Sequence, residues 1–366
     1  MCPSWSLRRY RDGDEQAIFD LQNTVFPNWR SLEYWKWKYL KNPAGPPIVW
    51  LAEHDNKIIG HYGIIPVRMK VGNMYVTGSF GGDAATHPKY QGKGVFSSLV
   101  NRCFLDASLN CFPLTFGFAH ADVGPTYMRY ERRGHVCFMR FVDKVLNWEP
   151  VLDKYVRSKF LSRTAASVFG KVCKSRSTNE SFKIERINHF DGRIDRFWEK
   201  ISMCFEIIVK RDEKYLTWRY TDHPTNKYIL YAATKDNEIL GYCVLREARD
   251  KNLRVGCITD ILGFQNGSNV VAHLVERAIR HFEERDVYKI SCLMSEKHPY
   301  SMIFRKAGFI TSIHRNLALY ATINLPGSAI NEKMTYLQAL TLSQNGFLKE
   351  KENWFMMSGD GEWWGD

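Results

Sequence analysis

The sequence lacks what marks a membrane or secreted protein. No run approaches the roughly 20 apolar residues of a spanning helix. The longest apolar stretch, Phe112 to Ala119, is strand-sized and includes Thr115 and Gly117. The start, Met1 to Arg11, is charged early and does not read as a secretory signal. Nine cysteines lie scattered from Cys2 to Cys292, an odd number with no CxxC pair. That argues against a disulfide framework or a zinc site and fits free thiols in a reducing cytoplasm, with no metal expected. Biased composition is missing too: 45% apolar and 25% charged residues are the ordinary globular mixture, which sets aside disorder, collagen and coiled coil.

What is there is length and positive charge. The 366 residues exceed what one hydrophobic core usually supports, so two domains are expected. The net charge of +12 suggests an anionic ligand. It is unevenly placed. Residues 1–150 hold 18 basic and 13 acidic side chains, residues 151–176 hold 7 and 1, and residues 177–366 hold 26 and 25. The need for positive charge therefore lies in the first half or in the connector.

The chain also repeats itself, which shapes any reading of the fold. Tyr34-x-x-Trp37-Lys38-Tyr39-x-x-Asn42-Pro43 returns as Tyr215-x-x-Trp218-Arg219-Tyr220-x-x-His223-Pro224, an offset of 181. At the same offset Asp55-Asn56-Lys57-Ile58-Ile59-Gly60 returns as Asp236-Asn237-Glu238-Ile239-Leu240-Gly241. Pro125-x-x-Met128-x-Tyr130-x-Arg132-x-Gly134 returns as Pro299-x-x-Met302-x-Phe304-x-Lys306-x-Gly308, at an offset of 174. Each copy reads as mixed α/β. In the first, Ser6 to Arg11 is a short strand, with Asp12 or Asp14 opening a helix and Ser31 capping a second, aromatic one. Ile48 to Glu53 and Lys57 to Val67 form a hairpin about Asp55-Asn56. Val76 to Thr86 is a small-residue strand. Phe96, Leu99, Val100, Cys103, Phe104 and Ala107 have helical spacing, matched in the second copy by Val271, Leu274, Val275, Ala278 and Phe282. Phe112 to Ala119 is a strand, residues 124–133 a helix, and Val136 to Trp148 strands again. The expected division is a first domain at 1–150, a basic helical connector at 151–180, a second domain at 181–327 and a tail at 328–366. The repeated Tyr-Trp-Tyr set, present in both copies, favours a shared structural role.

The chemistry-bearing segment is Thr86-His87-Pro88-Lys89-Tyr90-Gln91-Gly92-Lys93-Gly94-Val95-Phe96, between a strand and the apolar helix. Two glycines let the loop bare successive backbone N–H groups, and the helix adds its own and its positive dipole end. Lys89 and Lys93 bring charge to the rim of what would be a pyrophosphate site. Taken alone, the loop is equally a glycine-containing turn. Further on stands Tyr130-Glu131-Arg132-Arg133-Gly134-His135. This ordered pair of motifs resembles the GNAT superfamily of acyl-CoA-dependent N-acyltransferases. Gln91, Gly92 and Gly94 approximate that family's Q/R-x-x-G-x-G/A loop, and Tyr130, Arg132 and Gly134 its Y-x-K-x-G-F helix end. Phe96, Val123 and His135 depart from the pattern. The resemblance spans residues 5–148 and, more weakly, 182–320.

The resemblance implies two tandem GNAT-like domains, each a twisted mixed sheet flanked by helices, and direct attack of an acceptor amine on the thioester of acetyl-CoA. Ala85, Thr86, Gln91, Gly92, Lys93, Gly94, Val95 and Phe96 would hold the cofactor. Tyr130 would protonate the leaving thiolate, since a phenol of pKa ~10 keeps its proton at neutral pH. A backbone N–H of the strand Phe80 to Thr86 would polarise the carbonyl. Among Glu53, His54, His61, Asp83 and His120, Asp83 leads as the general base, and water could relay the proton instead. Cys103 and Cys111 read as core thiols. In the second copy Gly263-Phe264-Gln265-Asn266-Gly267-Ser268 has lost the basic residues, and Phe304 stands in place of Tyr130, so that copy is expected to be a degenerate partner shaping the acceptor cleft. The leading expectation is a cytoplasmic N-acetyltransferase acting on a small-molecule amine. A Fem-like peptidyltransferase using aminoacyl-tRNA and a non-catalytic acyl-CoA-binding module are the alternatives. The basic connector alone keeps nucleic acid or an anionic membrane surface in play.

Overall fold

The computed structural model describes residues 5–27, 30–110, 112–120, 134–149, 181–250, 252–265, 269–324 and 346–361. The first half runs β1 (Ser6–Arg9), α1 (Glu15–Val25), α2 (Leu32–Leu40), β2 (Ile48–His54), β3 (Lys57–Val71), β4 (Met74–Thr86), α3 (Val95–Leu109), β5 (Leu114–His120) and β6 (Gly134–Val145). The second runs β7 (Lys183–Ile187), α4 (Arg193–Ile201), β8 (Ile207–Val209), α5 (Glu213–Leu216), β9 (Tyr228–Lys235), β10 (Glu238–Asp250), β11 (Leu253–Gly263), α6 (Val270–Glu283), β12 (Lys289–Ser295), α7 (Ser301–Lys306) and β13 (Ile310–Ile323). A short β14 (Trp354–Phe355) follows. Apart from β8 and α7, the described elements of the two halves follow one order.

Local causes match the sequence signals. Asp55 and Asn56, at φ 47° and 59°, and Asp236 and Asn237, at 49° and 64°, turn the β2–β3 and β9–β10 hairpins. Both residues of each turn lie in the left-handed region that Asn and Asp tolerate. Ser31 Oγ accepts the Tyr34 amide and starts α2. Val271, Leu274, Val275, Ala278 and Phe282 are fully buried on α6, and each large apolar side chain buried this way contributes about 1.5–3 kcal/mol. The segment 124–133 and the connector 151–180 lie outside the described residues.

The sheet is where the structure departs from the expectation of one sheet per domain. A single sheet runs β1-β2-β3-β4-β5-β13-β6-β12-β11-β10-β9-β7. Read from either end, the order is the same apart from the last strand, which each half gives to the other. β13 pairs with β5 from Leu317↔His120 to Ile323↔Leu114, and β6 pairs with β12 from Val145↔Lys289 to Met139↔Ser295. The exchange joins the two halves through the β13–β6 ladder into one continuous sheet. Only β4–β5 and β11–β12 are parallel within this run.

α2 and the helical turn Thr217–Thr221 that follows α5 meet where the halves are related by the repeat. Trp37 and Trp218 stack with centroids 4.7 Å apart and planes 17° from parallel. Trp37 Nε1 donates to the Trp218 carbonyl at 2.9 Å, and Trp218 Nε1 donates to the Trp37 carbonyl at 3.2 Å. The repeated aromatic set therefore has a structural role in joining the halves. The stretch expected as a tail is different. Trp354, Phe355, Met356 and Met357 are buried, and β14 pairs in parallel with β8. Their partners lie about 60 to 150 residues earlier in the chain, so local sequence does not reveal them.

Candidate active site

The end of β4 and the start of α3 bring the predicted loop together. Ala85 is buried and Thr86 half-buried at the strand's end. The His87 ring accepts the Lys89 amide at 3.3 Å, and Gln91 Nε2 donates to the Thr86 carbonyl at 3.2 Å, folding the loop back on its strand. Gly92 and Gly94 have φ of 73° and 80°, which a side chain would strain. No side chain caps α3, and the first-turn N–H groups of a helix have no intrahelical partner. Lys89 and Lys93 are exposed, with the Lys93 ammonium 5.1 Å from the Tyr90 ring centre. Val95 is buried, and a Cβ on Gly60 would come within 2.7 Å of its Cγ1, so glycine there lets the helix seat close against β3. Phe96, the departure from the motif, lies half-buried edge-on to Tyr62 at 6.4 Å. The arrangement suits a phosphorylated anion.

Beside the loop, β4 breaks its ladder. His61 pairs with Ala85 and Gly63 with Gly82, so Asp83 and Ala84 together face Tyr62 in a bulge. Asp83 has φ 53°, a conformation that costs a non-glycine residue energy unless its surroundings impose it. They do. His61 Nδ1 and Gln22 Nε2 reach the Asp83 carbonyl at 2.8 and 2.9 Å. Trp35 Nε1 donates to His61 Nε2 at 3.4 Å, which assigns the ring proton to Nδ1. Burial pushes the His61 pKa down to about 4, so the ring is neutral. The Asp83 carboxylate accepts from Lys38 Nζ at 2.8 Å and from the Tyr39 hydroxyl at 2.9 Å. Burial would raise its pKa, but the Lys38 ammonium outweighs burial and holds it below the usual carboxylate range. Burial in turn lowers the Lys38 pKa, with Asp83 opposing.

Beyond Phe80, just before this bulge, the ladder between β4 and β5 ends. Their ladder comprises Ser79↔Thr115 and Phe80↔Phe116, while β4 continues to Thr86 and β5 to His120. The loop, the bulge and the opening between the strands lie together at one end of the first half.

Residues 6–135 match the family model of the acetyltransferase (GNAT) domain. Over that stretch the chain is similar to GNAT acetyltransferase domains. Solved structures agree on the fold. A GCN5-related N-acetyltransferase from Anabaena variabilis superposes with a TM-score of 0.63 at 12% identity, over 87% of this chain and 73% of that one. A probable N-acyltransferase from Enterococcus faecalis gives 0.63 at 11% identity, over 88% and 72%. Saccharomyces cerevisiae N-myristoyltransferase with bound myristoyl-CoA and inhibitors gives 0.61 at 12% identity, over 88% and 81%. Comparison by sequence with curated proteins gives no match.

Within residues 6–135 three of the other base candidates are engaged elsewhere, and the side chain of His120 lies outside the described residues. Glu53 accepts from Arg8 at 2.6 Å, and His54 lies 3.2 Å from Asp55. His61 is fully buried behind the bulge. Cys103 is a buried thiol donating to the Tyr62 carbonyl at 3.5 Å. Tyr130 and Cys111 lie outside the described residues. The sequence reading missed Gln22, Lys38 and Tyr39. Lys38 and Tyr39 sat in the repeated Trp-Lys-Tyr and Trp-Arg-Tyr motif, so their recurrence was the available signal. In the second half Phe304 is buried against Phe309 at 5.0 Å.

Proposed function

We propose that this chain is an N-acyltransferase that moves an acetyl group from acetyl-CoA to a primary amine of a small-molecule acceptor. The reading rests on one conjunction: an uncapped helix start behind a Gly92/Gly94 loop, directly beside a braced bulge where two parallel strands part. The pyrophosphate would lie on the loop and the first turn of α3, with Lys89 and Lys93 at its rim. The pantetheine arm carries two amides, which suit the backbone edges that β4 and β5 leave unpaired beyond Phe80 and Phe116. That course leads the thioester to the bulge, whose N–H groups would stabilise the oxyanion.

The neutral amine attacks the carbonyl carbon, a C–N bond forms and the C–S bond breaks. Tyr130 gives the thiolate its proton. Asp83 is held ionised but weakly basic by Lys38, which suits drawing in the amine more than removing its proton, so water carries that proton away. Residues 1–150 would carry the chemistry, and residues 181–327, with Phe304 in place of Tyr130, would be a degenerate partner shaping the acceptor cleft. The myristoyl-CoA in the yeast neighbour supports a second reading, a longer acyl donor on the same site. Calorimetry with acetyl-CoA and myristoyl-CoA, followed by a thiol-release screen across amine classes, tests both. One molecule of acetyl-CoA bound per chain and amine-dependent CoA release are expected. Absence of binding by any acyl-CoA overturns the proposal.

A further inference from the structure

The second half has an opening equivalent to the one between β4 and β5, and it is already filled. Gly60 pairs with Thr86 in the first half and Gly241 with Gly263 in the second, so three residues back Asp83 corresponds to Asp260. The β11–β12 ladder stops at Ile258↔Cys292. Just past it, the C-terminal segment bridges the two strands. Ser358 Oγ donates to the Thr259 carbonyl of β11 at 2.8 Å. On the β12 side, the Ser295 amide donates to the Met356 carbonyl at 3.2 Å, Ser295 Oγ donates to the Trp354 carbonyl at 3.1 Å, and Met294 bridges to Met357.

The segment is clamped by charge as well as by backbone. Arg211, fully buried, donates to Asp360 at 2.8 Å and to Asp260 at 3.1 Å. A Cβ on Gly359 would collide with the Tyr220 hydroxyl, so only glycine fits at that point. The seat is tied to the first half too: Arg219 Nε donates to the Gly359 carbonyl at 2.8 Å, and its guanidinium lies 5.8 Å from the Trp37 ring centre. Trp37 precedes Lys38 and Tyr39, which hold Asp83.

We propose that residues 354–360 are a permanent intrachain ligand of the second half: a peptide, extended at Trp354–Met357 and turned at Ser358–Asp360, that occupies the opening between β11 and β12, whose first-half equivalent takes the acyl-CoA arm. The equivalence to acyl-CoA rests on the function proposed above; the peptide site itself does not. The strand edges that would otherwise bind a cofactor's amides are met by the chain's own C-terminal segment, through the Ser358 hydroxyl on β11 and the Met356 carbonyl on β12, and Arg211 reads the Asp360 carboxylate. The second half is thereby closed to acyl-CoA.

The test uses the full chain with Gly359→Val, and Ser358→Ala as a milder variant in case the first does not fold. Hydrogen exchange at the Ser295 amide, which donates to the Met356 carbonyl, is expected to quicken by about tenfold or more as the segment leaves its seat. A synthetic peptide of the sequence Trp354 to Asp360 should then bind the variant one to one and restore protection, while leaving the native chain unbound. Unchanged exchange in the folded variants, or a peptide that binds native and variant chains alike, overturns the proposal. Acetyl-CoA calorimetry on the same samples keeps the two readings apart: loss of all acetyl-CoA binding would count against the proposed function, and two molecules per native chain against the closed second half.

Discussion

Asp83 and Asp260 occupy equivalent places in the two halves and have opposite surroundings. Around Asp83 the bulge carries a left-handed residue, Lys38 and Tyr39 bind the carboxylate, and the adjoining strands part. Around Asp260 the extra residue shifts to Thr259 and no residue described in β11 has positive φ. Two tyrosines, Tyr220 and Tyr242, donate to the carboxylate at 3.1 and 2.8 Å, and Arg211 ties it to the C-terminal segment. Tyr39 and Tyr220 match in the repeat, as do His61 and Tyr242. One scaffold thus supports either a braced, strained bulge beside an opening or a relaxed, sealed core. The difference lies in what fills the space past the end of the parallel ladder.

The sharpest way to break this contrast is at Arg211. Arg211→Met would leave two buried carboxylates facing each other, and removing one partner of a buried pair costs about 3–5 kcal/mol. A marked fall in the thermal midpoint of the whole chain is expected. A variant as stable as the native chain would show that the seal is not held by charge.

Acid is next in effect. Burial lowers the His61 pKa to about 4, from an unfolded value near 6.5. Its contribution is present above pH 6.5 and is lost as pH falls toward 4, about 3 kcal/mol at 1.36 kcal/mol per unit. In the second half burial lowers His281 to about 4, and His223 and His298 to about 3. Asp360 opposes them. Burial raises it to about 6, with Arg211 working against burial, so its contribution is present below the unfolded carboxyl pKa of about 4 and is lost as pH rises through 6. Denaturant melts from pH 7 to 4 should show falling stability, and Asp360→Asn should steepen the fall between pH 6 and 4. A flat profile would mean that these histidines are not held neutral.

The smallest perturbation concerns the residues that distinguish the copies in sequence. Tyr130→Phe should reduce turnover by about 100-fold, the lower range for losing a general acid, with acetyl-CoA affinity unchanged. Phe304→Tyr should leave turnover unchanged, because the second half is closed. Activity gained from Phe304→Tyr, or unaffected by Tyr130→Phe, would dissolve the assignment of chemistry to the first half.

Much of the scaffold was legible because its causes are local. The Asp-Asn turns, the Ser31 cap and the apolar stripe of α6 each depend on a few neighbouring residues, and the structure has them where the sequence placed them. The glycine loop was legible for the same reason. The exchange of β6 and β13 was not, since alternation identifies a strand without naming its partner. Lys38 on a helix reads as a solvated charge until Asp83, 45 residues away, is brought within 2.8 Å. Asp360 reads as part of an acidic tail until Arg211, 149 residues earlier, is buried against it.

The exchanged strands also limit how the molecule can move. Each half completes the other's sheet, so swinging the halves apart would break the β5–β13 and β6–β12 ladders along their length. Hinge opening between the halves is therefore too costly to serve as a working motion. Unfolding should follow the same rule. Despite the internal repeat, heat should melt the chain in one calorimetric transition, with no temperature at which one half survives the other.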